Sequence, residues 1–539
     1  MNYIELFAGC GGLGLGLKSK NFNLIMANEL SPMAAETFAY NFFGENLEAL
    51  AKSLNNGEAA PEIMRTKWLS STHPLDNLSK RLRENPNHFP DYGQGKCDIK
   101  NPSDLNGSLV VGSIVDLNQF LELNPNHLAQ LKSCFGNGEL DLVSGGPPCQ
   151  SFSLAGLRQR NNERNSLPWE MAKFVELTQP KFALLENVTG ILRPFKDENG
   201  EKFHAWFEVA RAFAAVGYVP LCLHINAKLA GVAQNRPRFI MLGVRANIFP
   251  GLQQKLRPEE IPLFKDSWEF YKKISHGLPV AFGDIKYFDA EKLPDCELFE
   301  KSFLAPLIRY KDNLHSVKHA IDDLKQSNKE TKSTEDKRSE YVKEVDDIFA
   351  EFVTEHEMEN HELRNNGEHV KRRFRIYQIL QGLGSTFGER MVKEFLSSKR
   401  DFLPEDVADQ VIKFNFLLKS GKSERFKTKK ELEDYLREHR TKKQTQKALI
   451  ADSPAPAALS IPDDYCHYDH KELRTLTVRE MARIQSFPDR FAFRSKVTTG
   501  GQMRKFEVPQ YTQVGNAVPP LLGRALGEVI EDLIGRLSY

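Results

Sequence analysis

The stretch Tyr3-Ile4-Glu5-Leu6-Phe7-Ala8-Gly9-Cys10-Gly11-Gly12-Leu13-Gly14-Leu15-Gly16-Leu17, followed by an apolar run from Phe22 to Ala27 that ends at Asn28-Glu29, decides the fold class. Residues 3–7 are β-prone, the glycines after them allow a tight turn, and the leucine-rich run reads as a helix. Strand, glycine turn, helix and strand in that order predict a parallel sheet with right-handed crossovers. Working outward, the same rhythm recurs in Leu109-Val110-Val111, in Leu140 to Ser144, in Phe182 to Leu185 and in Phe239 to Val244. Each run is short and ends in turn residues, as buried strands of an α/β domain do.

Two regions break the rhythm. Residues 45–106 are polar and rich in Asn and Pro, and read as an insertion between core elements, with no function assigned to it. Beyond residue 250 the strand pattern fades, and residues 300–450 are charged and helix-prone, as in Asp346 to Glu359 and Met391 to Ser397. The low-complexity run Ala451 to Ala458 reads as a linker. Core-like sequence returns near residue 473, and a closing helix is predicted over Leu521 to Leu537 after Pro519-Pro520. The expected organisation is an α/β domain over 1–250, a second, smaller, helix-rich module over 251–472, and a segment over 473–539 that rejoins the first domain.

Composition narrows the function classes. The 539 residues carry 73 Lys and Arg against 72 Asp and Glu, a net charge of +1, which excludes a uniformly basic nucleic-acid sleeve. No stretch reaches the roughly 18 to 20 apolar residues of a membrane span. The nearest, Ala212 to Leu223, contains Gly217 and Pro220. The N-terminus lacks the basic region and cleavage site of a signal peptide. Cysteines 10, 97, 134, 149, 222, 296 and 466 are scattered without a C-x-x-C pair, so reduced thiols in a cytoplasmic protein are expected. No zinc-type cluster of Cys or His is present, and no metal is expected.

Four segments carry chemistry. Gly9-x-Gly11-x-x-Gly14 after a strand fits a nucleotide-binding turn, and Glu29, twenty residues past Gly9, sits where a carboxylate grips a ribose diol. That pair alone does not separate a dinucleotide from S-adenosylmethionine. In Ser144-Gly145-Gly146-Pro147-Pro148-Cys149-Gln150-Ser151-Phe152-Ser153, a strand delivers a cysteine held by prolines and glycines to the carboxyl end of the sheet, which suits a nucleophile. Leu184-Leu185-Glu186-Asn187-Val188 ends in an acidic group that serves as a helix cap, an ion-pair partner or, beside Cys149, a general acid. Gln234-Asn235-Arg236-Pro237-Arg238 puts two arginines ahead of a strand.

Taken together these segments resemble the C5-cytosine-specific DNA methyltransferase family. Phe7-Ala8-Gly9-Cys10-Gly11-Gly12 is similar to its cofactor motif, Pro147-Pro148-Cys149-Gln150 to its catalytic motif, and Glu186-Asn187-Val188 and Gln234-x-Arg236-x-Arg238 to its cytosine-clasping motifs. Glu163-Arg164-Asn165-Ser166-Leu167 resembles the helix start that links them. Arg474 to Pro488 resembles the element that props the recognition region, and Gln513-Val514-Gly515-Asn516-Ala517-Val518-Pro519 the last motif. The matches run in the family's order over about 1–44, 109–250 and 473–539. One departure concerns the adenine. The family places an Asp in a Gly-Asp-Ile turn, but Gly112-Ser113-Ile114 has Ser113 there, so Asp116 or a backbone contact at Ile114 is expected to substitute. The other is the 45–106 insertion, which parts elements the family joins briefly.

The resemblance implies a Rossmann-like S-adenosylmethionine-dependent methyltransferase core, with 251–472 as target recognition domain. It implies that S-adenosylmethionine is held by Phe7, Ala8, Gly9, Gly11, Gly12, Leu13, Glu29, Ile114, Asp116, Pro147, Asn516 and Val518. It also implies that Cys149 adds to C6 of a flipped cytosine while Glu186 bonds N3 and Arg238 contacts O2, with Arg236 and Asn187 positioning them. The expected partner is double-stranded DNA of a specific sequence, contacted through basic runs. Residues 411–447 hold 12 Lys and Arg against 5 Asp and Glu, and Lys371-Arg372-Arg373-Phe374-Arg375 adds a second cluster. A cognate restriction endonuclease as functional partner, a monomeric state and a cytoplasmic location are further expectations. The competing readings are a tRNA-directed cytosine-C5 methyltransferase, against which the large module counts, and a catalytically idle DNA-binding relative.

Overall fold

The computed structural model describes residues 1–59, 61, 63–148, 167–196, 202–326, 337–443, 446–457 and 464–537. Its centre is a nine-stranded sheet built from β1 (Asn2–Leu6), β2 (Asn23–Glu29), β3 (Thr66–Trp68), β4 (Ser108–Val111), β5 (Leu142–Gly145), β6 (Phe182–Val188), β7 (Tyr218–Asn226), β8 (Pro237–Arg245) and β9 (Tyr287–Asp289). The spatial order is β9-β7-β8-β6-β5-β1-β2-β4-β3. Neighbours run parallel except that β8 is antiparallel to both β6 and β7, pairing Ile240 with Glu186 and with Leu223. This is a Rossmann-like core, and its carboxyl edge gathers the ends of β1, β2, β4, β5 and β6.

Helices cover both faces because the central strands are apolar on both sides. One face packs on α1 (Gly12–Lys18) and the closing helix, Pro520–Leu537, through Leu13, Leu17, Leu184, Ile240, Leu522 and Leu526. The other packs on α2 (Ile114–Leu123), α3 (Leu167–Thr178) and α4 (Ala205–Ala215) through Ile4, Val143, Leu185, Phe174 and Phe213. The glycines of α1 serve contact: a Cβ on Gly16 would lie 2.4 Å from the backbone of Gly523 and Arg524, so the last helix lies directly on the first.

Three features depart from the simplest reading of the sequence. The 45–106 segment supplies the edge strand β3, whose Trp68 is fully buried; three residues in a polar context are too few to show a period. The first core also continues past residue 250, since β9 joins the sheet and Leu252, Phe264, Leu307, Val317 and Val345 pack in the same cluster as Ile240. A separate core forms later, from Phe374, Ile376, Val392, Phe395, Leu432 and Leu436 through to Cys466, and defines a helical unit. Finally, Ala455–Pro456, expected in a linker, forms a short parallel ladder with Gln234–Asn235. Pro456 lacks an N–H but sits at an edge, and its carbonyl accepts from Gln234 Nε2 at 3.2 Å. No helix among the described residues is long and apolar enough to cross a membrane.

Candidate active site

The turn after β1 is strained where it must be. Phe7 (φ 54°), Gly9 (φ 56°) and Gly11 (φ 94°) all adopt left-handed conformations. A side chain on Gly9 would meet nothing within 4 Å, so this turn fronts open space. Its back is stitched to the neighbouring strand ends. Gly9 N donates to Glu29 Oε2 at 2.8 Å, and Ser31 N donates to Oε1 at 2.7 Å. Burial raises the Glu29 carboxyl above its ordinary value, against the pull of those backbone donors. Asn28 Nδ2 donates to the carbonyls of Val110 and Gly112 at 3.0 Å each, tying β2 to the turn after β4. Asn28 escaped the sequence reading; its position at a strand's carboxyl end was the available signal.

The Ser113 hydroxyl accepts from Val115 N at 3.1 Å as the cap of α2. Asp116 lies in the first turn of α2, where burial raises its carboxyl, the Tyr92 backbone N–H opposes the rise and Asp91 adds to it. Tyr92 belongs to the 45–106 segment, so that segment reaches the cofactor edge. Ile114, Leu13 and Pro147 are buried apolar walls, Ala8 is buried and bonded to Asn28, and Asn516 is exposed at the end of the helix Gln510–Asn516. The Val518 carbonyl lies 2.2 Å from where a Cβ on Gly12 would sit, which brings the last motif onto the first turn. Gln513, unassigned from sequence, locks that approach: its Oε1 accepts from Thr37 at 2.6 Å and its Nε2 donates to the Met33 carbonyl at 3.1 Å.

At the end of β6, Glu186 and Asn187 meet Arg238 and Pro147. Arg238 Nε lies 2.6 Å from Glu186 Oε1 as an ion pair, without the alignment of a hydrogen bond, and both side chains are nearly buried. Gly146 faces Glu186, whose Oε2 is 3.0 Å from where a Cβ on that glycine would lie. Asn187 Nδ2 donates to the Pro147 carbonyl at 3.1 Å and so holds the loop that leads into Cys149. Cys149 itself, with the Glu163 to Ser166 stretch, lies outside the described residues. Arg236 is 1% exposed and donates from Nη2 to the carbonyls of Gly515 at 2.8 Å and Ala517 at 2.9 Å. Burial, with Arg238 close by, pulls its guanidinium well below the ordinary arginine value. Arg236 therefore joins the clasp to the last motif, two regions 279 residues apart in the chain.

The chain is similar in sequence to known proteins. Residues 1–61, 124–263 and 307–532, together well over half of the chain, match the family model described as C-5 cytosine-specific DNA methylase. The type II methyltransferase M.DdeI of Desulfomicrobium norvegicum is 25% identical over 531 residues, covering 98% of this chain and 88% of that protein. M.Bpa9945I of Bacillus paralicheniformis is 26% identical over 561 residues, covering 99% of each. M.AgeI of Thalassovita gelatinovora is 25% identical over 547 residues, covering 98% and 99%. With its match spanning both the opening glycine turn and the closing helix that folds back on it, the chain belongs to the C-5 cytosine-specific DNA methylase family.

Proposed function

We propose that this DNA cytosine-C5 methyltransferase acts on a cytosine flipped out of a specific duplex sequence and passes through a covalent Cys149–C6 adduct. The observation that carries the reading is the Glu186–Arg238 pair beside Gly146, with Asn187 holding the loop that carries Cys149. Cytosine C5 is a weak nucleophile, so the ring must first be made electron-rich. The Cys149 thiolate forms the Sγ–C6 bond, Glu186 donates to N3 and Arg238 contacts O2, while Asn187 and Arg236 hold those groups in place. C5 then bonds the incoming methyl group, loses its proton to water, and the Sγ–C6 bond breaks to restore the ring and the thiolate. The target atom is out of reach in a stacked duplex, so the base enters the pocket extrahelically.

S-adenosylmethionine, when bound, supplies the electrophilic methyl group. The residues at the carboxyl edge fit it: open space before Gly9, a backbone-held carboxylate at Glu29 for a ribose diol, and apolar walls from Leu13, Ile114 and Pro147. Phe7, Ala8, Gly11, Gly12, Asp116, Asn516 and Val518 complete the proposed set. The 251–472 region is assigned to target recognition, with the helical unit around Phe374 to Cys466 as its independent core. The relatives are named type II methyltransferases, which supports a cognate restriction endonuclease as functional partner. A monomer in the bacterial cytoplasm is the accompanying proposal. Incubation with S-adenosylmethionine and duplex DNA containing 5-fluorocytosine tests the reading: a covalent adduct is expected, and a Cys149→Ser variant that still trapped DNA would sink it. Methyl transfer to tRNA and not to duplex DNA would favour the tRNA-directed alternative.

A further inference from the structure

The basic runs of the helical unit divide into two kinds once partners are counted. Five are neutralised at home: Lys371 by Glu368, Lys419 by Glu438, Lys429 by Glu405, Arg437 by Glu433 and Asp434, and Arg440 by Asp401. Among the described residues Lys413, Lys422, Lys427 and Lys430 are not, and neither are four arginines, which differ from those lysines in how they are held. Among the described residues no carboxylate comes within 4.0 Å of Arg372, Arg373, Arg375 or Arg425. Arg372, only 9% exposed, donates from Nε to Nε2 of the fully buried His439 at 3.1 Å. His439 can accept there because its Nδ1–H donates to the Tyr435 carbonyl at 2.7 Å. The buried Nε of Arg373 has no partner at all.

The other two share one seat. Arg375, on the helix Glu368–Gly382, donates from Nε to the Asn415 carbonyl at 2.8 Å. Arg425, just past the hairpin strand Ser423–Glu424, donates from Nε to Asn415 Oδ1 at 3.2 Å. Two guanidiniums fixed on a single asparagine, with no carboxylate within 4.0 Å of either among the described residues, repel one another. Packed side chains hold such an arrangement at a cost that an incoming anion removes. Arg425 is anchored through Nε, and Arg375 through Nε with a long bond from Nη1 to Gln378 Oε1 at 3.5 Å, which leaves Nη2 of Arg375 and the terminal nitrogens of Arg425 to meet a phosphate. The unit is tied to the catalytic edge through Ala455–Pro456, paired with Gln234–Asn235 immediately before Arg236 and Arg238.

We propose that Arg375 and Arg425, both seated on Asn415, form a phosphodiester clamp by which the helical unit grips the backbone of duplex DNA. The inference rests on the DNA-methylating reading above, and deepens it by naming which of many cations touch phosphate. Full-length protein would be titrated by fluorescence anisotropy against a random-sequence duplex pool over a series of NaCl concentrations. Each lost phosphate contact flattens the slope of log affinity against log salt by about 0.9. Arg375→Gln should flatten it by about 1 and Arg375→Gln with Arg425→Gln by about 2, uniformly across sequences. The double Arg→Lys variant should recover most of the slope, and Lys429→Gln, which removes an already paired cation, should leave it unchanged. Melting curves show that each variant is folded. A folded double Gln variant with the wild-type slope overturns the clamp, and so does a change in the methylated sequence context at constant slope, which belongs to a base reader. Wild-type methylation of duplex DNA, run alongside, separates failure of the clamp from failure of the underlying reading.

Discussion

The arginines of the catalytic edge and those of the helical unit have the same chemistry and opposite circumstances. Arg236 is buried, bonded to two carbonyls of the last motif, and Arg238 lies against Glu186. Arg375 and Arg425 are anchored on neutral groups, Asn415 for both and Gln378 for Arg375, and no carboxylate among the described residues lies within 4.0 Å of either. The first pair is already held by carbonyls and a carboxylate of its own fold, and the second is left wanting an anion. A guanidinium already paired builds a site, whereas one held fixed and unpaired takes a ligand. The two regions should therefore respond differently to substitution.

The largest effects belong to the catalytic edge. Cys149→Ala is expected to lower methyl transfer by at least about 10⁴-fold, as loss of a covalent nucleophile does, without weakening duplex binding. Glu186→Gln should cost on the order of 10²- to 10⁴-fold in kcat, the usual range for a general acid. It should leave the salt slope of binding alone. Tritium transfer from labelled S-adenosylmethionine measures the first quantity and anisotropy the second. If either variant changed the salt slope as Arg375→Gln does, the separation of the two regions would fail.

Arg236→Ala sharpens the contrast from the side of stability. It leaves the Gly515 and Ala517 carbonyls without their donor in a buried setting, at about 1 to 3 kcal/mol for each group so stranded. The loss should appear as a lower melting temperature and as weaker S-adenosylmethionine binding, since the same carbonyls lead into Val518 against Gly12. Gln234→Ala is a milder version at the other end of the strap. It removes one bond to Pro456, worth about 1 kcal/mol, and should lower kcat severalfold while leaving the duplex affinity unchanged. Equal effects on kcat and affinity would show instead that the Ala455–Pro456 contact serves binding.

How much of this was legible follows the same division. Turn chemistry is local, so Gly9 and Glu29 could be read from a glycine turn and the next strand end, and the two are bonded, whereas Asn187 and Arg236 were marked only by the family resemblance and bond to Pro147 and Gly515. The three-residue β3 and the two-residue Ala455–Pro456 ladder are held by pairing with distant strands, and carry no period of their own. The charge excess of residues 411–447 was visible, but its partners were not: Glu405 and Asp401, which neutralise Lys429 and Arg440, lie outside that window. Asn415 gave no signal, because what it does depends on two arginines ten and forty residues away.

The smallest expected effect tests whether the catalytic edge is complete in its protons as well as its bonds. Glu5 on β1 is 2% exposed, and its Oε1 accepts from Gly14 N at 3.1 Å. Oε2 has no partner and occupies the space that a Cβ on Gly14 would take, 2.2 Å away. Burial lifts this carboxyl from 4.5 to about 8; the Gly14 N–H opposes the shift and Glu29 adds to it. A group bound to a proton more tightly in the folded chain stabilises it fully below pH 4.5, and that contribution is lost as pH rises to about 8. The slope across this window is at most about 1.4 kcal/mol per pH unit, and relaxation around the carboxylate reduces it. Glu5→Gln keeps the shape and an acceptor for Gly14 N while removing the titration. Its melting temperature should therefore fall less than that of the wild type between pH 5 and pH 8. Identical pH profiles for the two proteins would mean that Glu5 carries no extra proton in the fold, and that the glycine turn tolerates a buried charge directly behind the cofactor edge.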